Sequence, residues 1–162
     1  MMLGVVLLYV GAVLAINGIG RLTKIDGKSL AVMNFMTGGL SVIANVILLI
    51  SGEYYAAATG LLFGFTYLFI GFNAIFDLDG RVLGWFSLFV AVNTVPASLL
   101  SLMRDHDPVF FAIWLAWGVL WLLMFAESVL KADLKKTVPI LLIAEGIFTA
   151  WIPAWLLLQG VL

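Results

Sequence analysis

The chain reads as an all-α integral membrane protein whose six transmembrane helices form three repeated two-helix hairpins. Composition is the first ground for this. Of 162 residues, 64% are hydrophobic and 10% charged, with a mean hydropathy of +1.19, where a soluble domain is about half apolar and about a quarter charged. Charge spacing is the second ground. The charges cluster, leaving uncharged runs at 1–20, 29–52, 54–76, 82–103 and 108–126, and a sixth from 137 to 162 interrupted only by Glu145. About 20 apolar residues at 1.5 Å rise cross a hydrocarbon core of about 30 Å, so each run can span a bilayer. The third ground is an internal period of about 54 residues, developed below.

The runs predict helices over 2–20, 29–51, 56–76, 82–103, 108–130 and 137–160, one transmembrane domain covering 1–162. The first has no basic residue ahead of it and no small-x-small cleavage site, so it is expected to be a retained span and not a signal peptide. The second carries Gly38 and Gly39; the third carries a GxxxG step, Gly60 and Gly64, with Gly71 a heptad further on. Small residues of this kind let backbones approach in lipid, where packing drives association. The fourth and sixth helices contain Pro96 and Pro153, each a candidate kink. At the end of the fifth, Glu127 stands four residues before Lys131, the spacing of a helical ion pair.

Seven of the eight basic residues fall in the connections after the odd helices: Arg21, Lys24, Lys28, Arg81, Lys131, Lys135 and Lys136. The opposite side holds Arg104 with Glu53, Asp105, His106 and Asp107. Basic loops stay cytoplasmic, which places both termini outside the cytoplasm. Eight basic residues against nine acidic ones give no polybasic surface for nucleic acid. Without cysteine and with a single histidine, thiolate and poly-His metal sites, c-type haem attachment and disulfides are excluded, and no cofactor is implied. A lone loop histidine and no nucleophile–base constellation argue against an enzyme.

Asn17, Asn73 and Glu127 lie near the ends of the odd helices, 56 and 54 residues apart; Asp79 and Asp133, and Arg81 and Lys135, repeat at the latter spacing, and Lys28 precedes Arg81 by 53. Each unit crosses the membrane twice, so the three share one orientation and are related by an axis along the membrane normal. Three hairpins about such an axis enclose a central protomer pore.

Trp114, Trp117 and Trp121 share one face of the fifth helix, with Leu120 adjacent. Trp117 and Trp121 fall near mid-membrane, too deep for the interfacial belt where membrane tryptophans usually sit. Composition alone leaves two readings open, a bulky core stripe and a slot lined by flat indole faces. A slot of that kind excludes ions, which would shed hydration without compensation, and admits small, flat, neutral molecules held weakly. Glu145 is the one ionisable residue deep in a span; intramembrane acids are functional candidates by default. Histidine is the side chain suited to sensing mild acid, but His106 sits in a short loop between two aspartates, the setting of a solvated, idle residue.

Strings in all six spans resemble the urea and amide channel family of bacteria: LGVVLLYVGAVLAINGI (3–19), SLAVMNFMTGGLSV (29–42), ATGLLFGFTYL (58–68), GWFSLFVAVNTVPA (84–97), IWLAWGVLW (113–121) and EGIFTAWIPAWLL (145–157). The resemblance implies a bacterial inner-membrane homo-hexamer in the lipid bilayer, each protomer a channel domain with its own pore. Implied pore positions are Leu7, Val10 and Leu14; Phe63, Thr66 and Tyr67; Trp114, Trp117, Leu120 and Trp121; and Glu145. The Glu-Gly-Ile at Glu145 resembles the urea branch over the amide branch. Acid-gated members carry a long, His-rich outer loop between helices 2 and 3, whereas here Ser51–Tyr55 and neighbours contain no histidine. The expectation is a passive urea channel without acid gating, serving a cytoplasmic urease. The alternatives are a short-chain amide channel and a proton-coupled small-amide transporter using Glu145.

Overall fold

The computed structural model describes residues 2–162. Helices α1 (Met2–Thr23), α2 (Gly27–Ile50), α3 (Tyr54–Phe76), α4 (Gly80–Met103) and α5 (Pro108–Ser128) are followed by a sixth span, Thr137–Leu158. That span comprises α6 (Thr137–Glu145), a π-helical turn over Gly146–Trp151, and α7 (Ile152–Leu158). The six spans are each long and apolar enough to cross a membrane. Aspartates start three of them: Asp26, Asp79 and Asp107 accept hydrogen bonds from the first free N–H groups of α2, α4 and α5.

The repeat is written in the backbone. The connections after α1, α3 and α5 turn through left-handed residues Lys24 (φ 59°), Asp77 (φ 51°) and Lys131 (φ 60°), spaced 53 and 54 apart (77 − 24 and 131 − 77). This register corrects one expectation. Counting back 53 from Asn73 reaches Gly20, so Asn17 is not the equivalent of Asn73 and Glu127.

The intimate helix pairs are not the hairpins of the repeat. They are α2 with α3, α4 with α5, and α1 with the sixth span, which closes the ring between first and last elements. Glycine sets each approach. A Cβ on Gly11 would lie 2.8 Å from the Gly146 carbonyl oxygen, and one on Gly146 2.8 Å from that of Gly11. Side chains at Gly60 and Gly118 would collide with Asn45 and with the Thr94 hydroxyl. Gly39, by contrast, faces open space. Within the first hairpin, α1 and α2 are joined by a reciprocal amide pair: Asn17 Nδ2 donates to Asn34 Oδ1 at 3.0 Å and Asn34 Nδ2 to Asn17 Oδ1 at 2.9 Å. Outward faces are apolar; Trp85, Phe89 and Val92 on α4 are more than half exposed. This is the arrangement of a multi-pass membrane protein, whose outer solvent is hydrocarbon.

Candidate functional site

Two cavities lie along the centre of the bundle and meet at Phe63 and Trp117, which line both. One, of about 250 Å³, opens at the end bearing Arg21 and Glu127; the other, of about 350 Å³, opens at the end bearing Asp105 and Asp107. Helix periodicity explains the partition. Leu7 and Leu14, two turns apart on α1, reach the second and first cavity respectively, and Trp114 and Trp121 divide in the same way on α5.

The divide is aromatic. The Phe63 ring lies 4.7 Å from that of Trp117, 4.9 Å from Trp121 and 5.7 Å from Trp114, centroid to centroid, edge-on to the first two. One α3 phenyl thus meets all three tryptophans of the α5 face. Trp114 and Trp117 pack edge-to-face at 5.1 Å, the arrangement aromatic quadrupoles favour. A charged solute at this divide would meet aromatic rings in place of its hydration shell, a costly desolvation.

All eleven residues singled out in the sequence are buried. Thr66, Tyr67 and Leu120 line the first cavity alongside Leu14 and Trp121. Val10 and Glu145 line neither; Val10 lies on α1 between Leu7 and Leu14, and Glu145 ends α6 one turn beyond Leu142, a wall residue of the first cavity. Among the described residues, Trp121 Nε1 and Glu145 Oε2 are buried side-chain atoms without a hydrogen-bond partner. Such groups are uncommon and call for an explanation.

Several residues that shape the mouths carried no clear signal in the sequence. Glu127 does not pair with Lys131; it reaches across to Arg21 at 2.5 Å, joining the ends of α5 and α1, while Lys131 donates to the Ser128 carbonyl at 2.8 Å. The helical spacing was right, but tertiary geometry offered Glu127 a planar guanidinium with better hydrogen-bonding reach. Asn17 and Asn34 join the wall of this cavity. At the other mouth, Arg104 pairs with Asp105 at 2.7 Å and lies 4.9 Å over the Tyr55 ring. The Arg104 hydrogen bonds hold the Asp105 carboxyl below the usual carboxylate range, and those of Arg81 hold Asp79 down at about 2.

The AmiS/UreI family transporter pattern matches residues 2–161. The chain belongs to the AmiS/UreI family. It is therefore a transport protein and not an enzyme. The acid-activated urea channel of Helicobacter pylori strain J99 is 50% identical, with 96% of this chain and 97% of that protein covered. That alignment runs over 189 positions against the 162 residues here, so the relative carries segments this chain lacks. The cryoEM structure of the H. pylori urea channel in a closed state superimposes with a TM-score of 0.95 at 51% identity, covering 99% of both chains. The crystal structure of the urea channel from that organism gives 0.90 at 53% identity, covering 98% of this chain and 97% of the other. The six-span ring is thus the AmiS/UreI fold.

Proposed function

We propose that this AmiS/UreI protein is a passive urea channel of a bacterial inner membrane, not gated by acid, that supplies urea to a cytoplasmic urease. The observation that carries the reading is the aromatic divide between two central cavities. Urea is flat, neutral and small; it offers one carbonyl acceptor and four N–H donors. Its polar groups can meet the wall of the first cavity, where Asn17, Asn34, Thr66 and Tyr67 stand among apolar side chains. Few and weak contacts suit conduction, because a solute must leave as readily as it binds. The likeness to urea channels at about half identity supports the same solute.

The absence of acid gating rests on the outer connections. The α2–α3 link is Ser51–Glu53, too short to hold a sensor, and it contains no histidine. The Arg104–Asp105 pair keeps its carboxylate ionised well into the acid range. The seven basic residues at the far end support a cytoplasmic position for that end, with both termini outside. The exposed apolar faces leave ample surface for assembly as a homo-hexamer.

Stopped-flow light scattering of proteoliposomes under an inward urea gradient tests this directly. Fast re-swelling at pH 7.4 and at pH 5.5 is expected; re-swelling only in acid would remove the ungated reading, and none at either pH would remove urea. Burial of Glu145 without a paired cation keeps one second reading in view, proton-coupled transport of small amides. Accumulation of labelled urea or acetamide against its gradient, driven by an imposed pH difference and lost in Glu145→Gln, would establish it; simple equilibration of the solute supports the channel.

A further inference from the structure

Trp117 stands where the two cavities meet and lines both. Among the described residues, it is the one tryptophan of the α5 face whose indole makes a side-chain hydrogen bond. Its Nε1–H donates to Thr149 Oγ1 at 2.9 Å, and that hydroxyl donates to the Glu145 carbonyl oxygen at 2.6 Å. The directions are fixed by chemistry: an indole can only donate, and a hydroxyl whose single proton is committed to a carbonyl still has lone pairs to accept with. Thr149 sits inside the π turn Gly146–Trp151. A π turn takes up an extra residue and resets the phase of everything after it by roughly 100°. Thr149 presents its hydroxyl to α5 from within that turn. The hydroxyl approaches Trp117 from outside the lumen, at the floor of an open groove between α5 and the sixth span lined by Ile113, Ala116 and Phe148.

We propose that Thr149, presented by the π turn, is a positioning residue that pins the Trp117 indole and so sets the width of the constriction against Phe63. Edge-to-face packing on Phe63 and Trp114 orients the ring plane. The hydrogen bond adds a directional restraint on its N–H edge, which ring packing does not supply. It also couples the lumen to the sixth span, because Thr149 is held by the backbone of the residue that carries the buried carboxyl, Glu145. The flux consequence rests on the urea-channel reading; the pin itself does not.

The test compares wild type, Thr149→Val, which keeps the shape and loses the hydroxyl, and Thr149→Ser, which restores it. In lipid nanodiscs with 15N-labelled tryptophan, Trp117→Phe and Trp121→Phe assign the two indole signals. The pinned Trp117 N–H should exchange with solvent more slowly in wild type than in Thr149→Val. It should shift upfield in Thr149→Val and return in Thr149→Ser. In proteoliposomes, the preference for urea over 1,3-dimethylurea should fall about fivefold in Thr149→Val, the factor a hydrogen bond of ordinary net strength commands, and recover in Thr149→Ser. Equal exchange of the Trp117 N–H in wild type and in Thr149→Val would overturn the pin, as would an unmoved Trp117 signal in Thr149→Val. A serine variant that behaves as the valine one would also overturn it, because methyl packing would then be the cause. Wild type that conducts neither solute would refute the urea reading while the indole signals still decide the pin.

Discussion

Where helices meet most closely, the contacts are made by Gly11 against Gly146, Gly60 against Asn45 and Gly118 against Thr94. Around the central cavities the walls are Phe63, Trp114, Trp117, Leu120 and Trp121. The two regions answer different demands. Between helices in lipid there is no hydrophobic drive, since hydrocarbon is as apolar as leucine, so backbone proximity and hydrogen bonds hold the seams. On the proposed reading, the lumen must strip water from whatever passes, and large flat rings do that without charge. Stability and selectivity are thereby assigned to separate residues of the same helices. On α5, Gly118 belongs to a seam and Trp117, the residue before it, to the lumen.

The separation can be broken most drastically at the seam that closes the ring. Gly11→Leu would drive a branched side chain into the backbone of the π turn, and the expected result is loss of monodisperse protein on size exclusion, because overpacking against backbone has no side chain to yield. Phe63→Ala should do the reverse. Folding survives, as the ring faces existing cavities, but discrimination between urea and a bulkier amide falls roughly tenfold in paired flux assays, within the range one size difference in an apolar pocket commands.

A smaller effect is expected at the first hairpin. Asn34→Leu removes the amide partner of Asn17 and should lower unfolding stability in bicelles by about 1–2 kcal/mol. At the rim, Arg21→Ala should cost at most about 1 kcal/mol, shrinking further as salt is raised, because the pair with Glu127 is partly solvated. Lowering the pH from 7 to 5 should change urea permeability least of all. The Asp105 carboxyl is depressed by Arg104, so the stabilisation from that pair is fully present above its unfolded value and fades only as pH falls through the lower folded one.

The fold was legible because lipid imposes a length and a charge rule that few sequences meet by accident: five uncharged runs and a sixth broken only by Glu145 are six spans. The tryptophan face was legible because a helix places i, i+3 and i+7 together, and the structure sets all three rings against Phe63. What pairs with what was not. The repeat suggested hairpins as packing units, yet the close pairs run between repeats. The π turn was hidden too: Pro153 predicted a kink, but nothing in the string GIFTAW distinguishes an extra residue in the turn from ordinary α-helix. Thr149 went unnoticed for the same reason, since a threonine four residues after an acid has no meaning until the turn places it against Trp117. Glu127 had Lys131 at helical spacing, and only the closed ring brings Arg21 near.

The central claim is that both cavities belong to one urea path crossing the Phe63–Trp117 divide. The natural absence of cysteine allows a clean test. Ala44→Cys places a thiol in the cavity at the Asp105 mouth, and Ala74→Cys in the cavity at the Arg21 mouth. Each is labelled to completion with a charged, membrane-impermeant thiol reagent, and urea flux through proteoliposomes is measured before and after. The result expected is strong inhibition at both positions, each modified from one side of the membrane only. Complete labelling of both thiols with urea flux unchanged would contradict a path through this lumen.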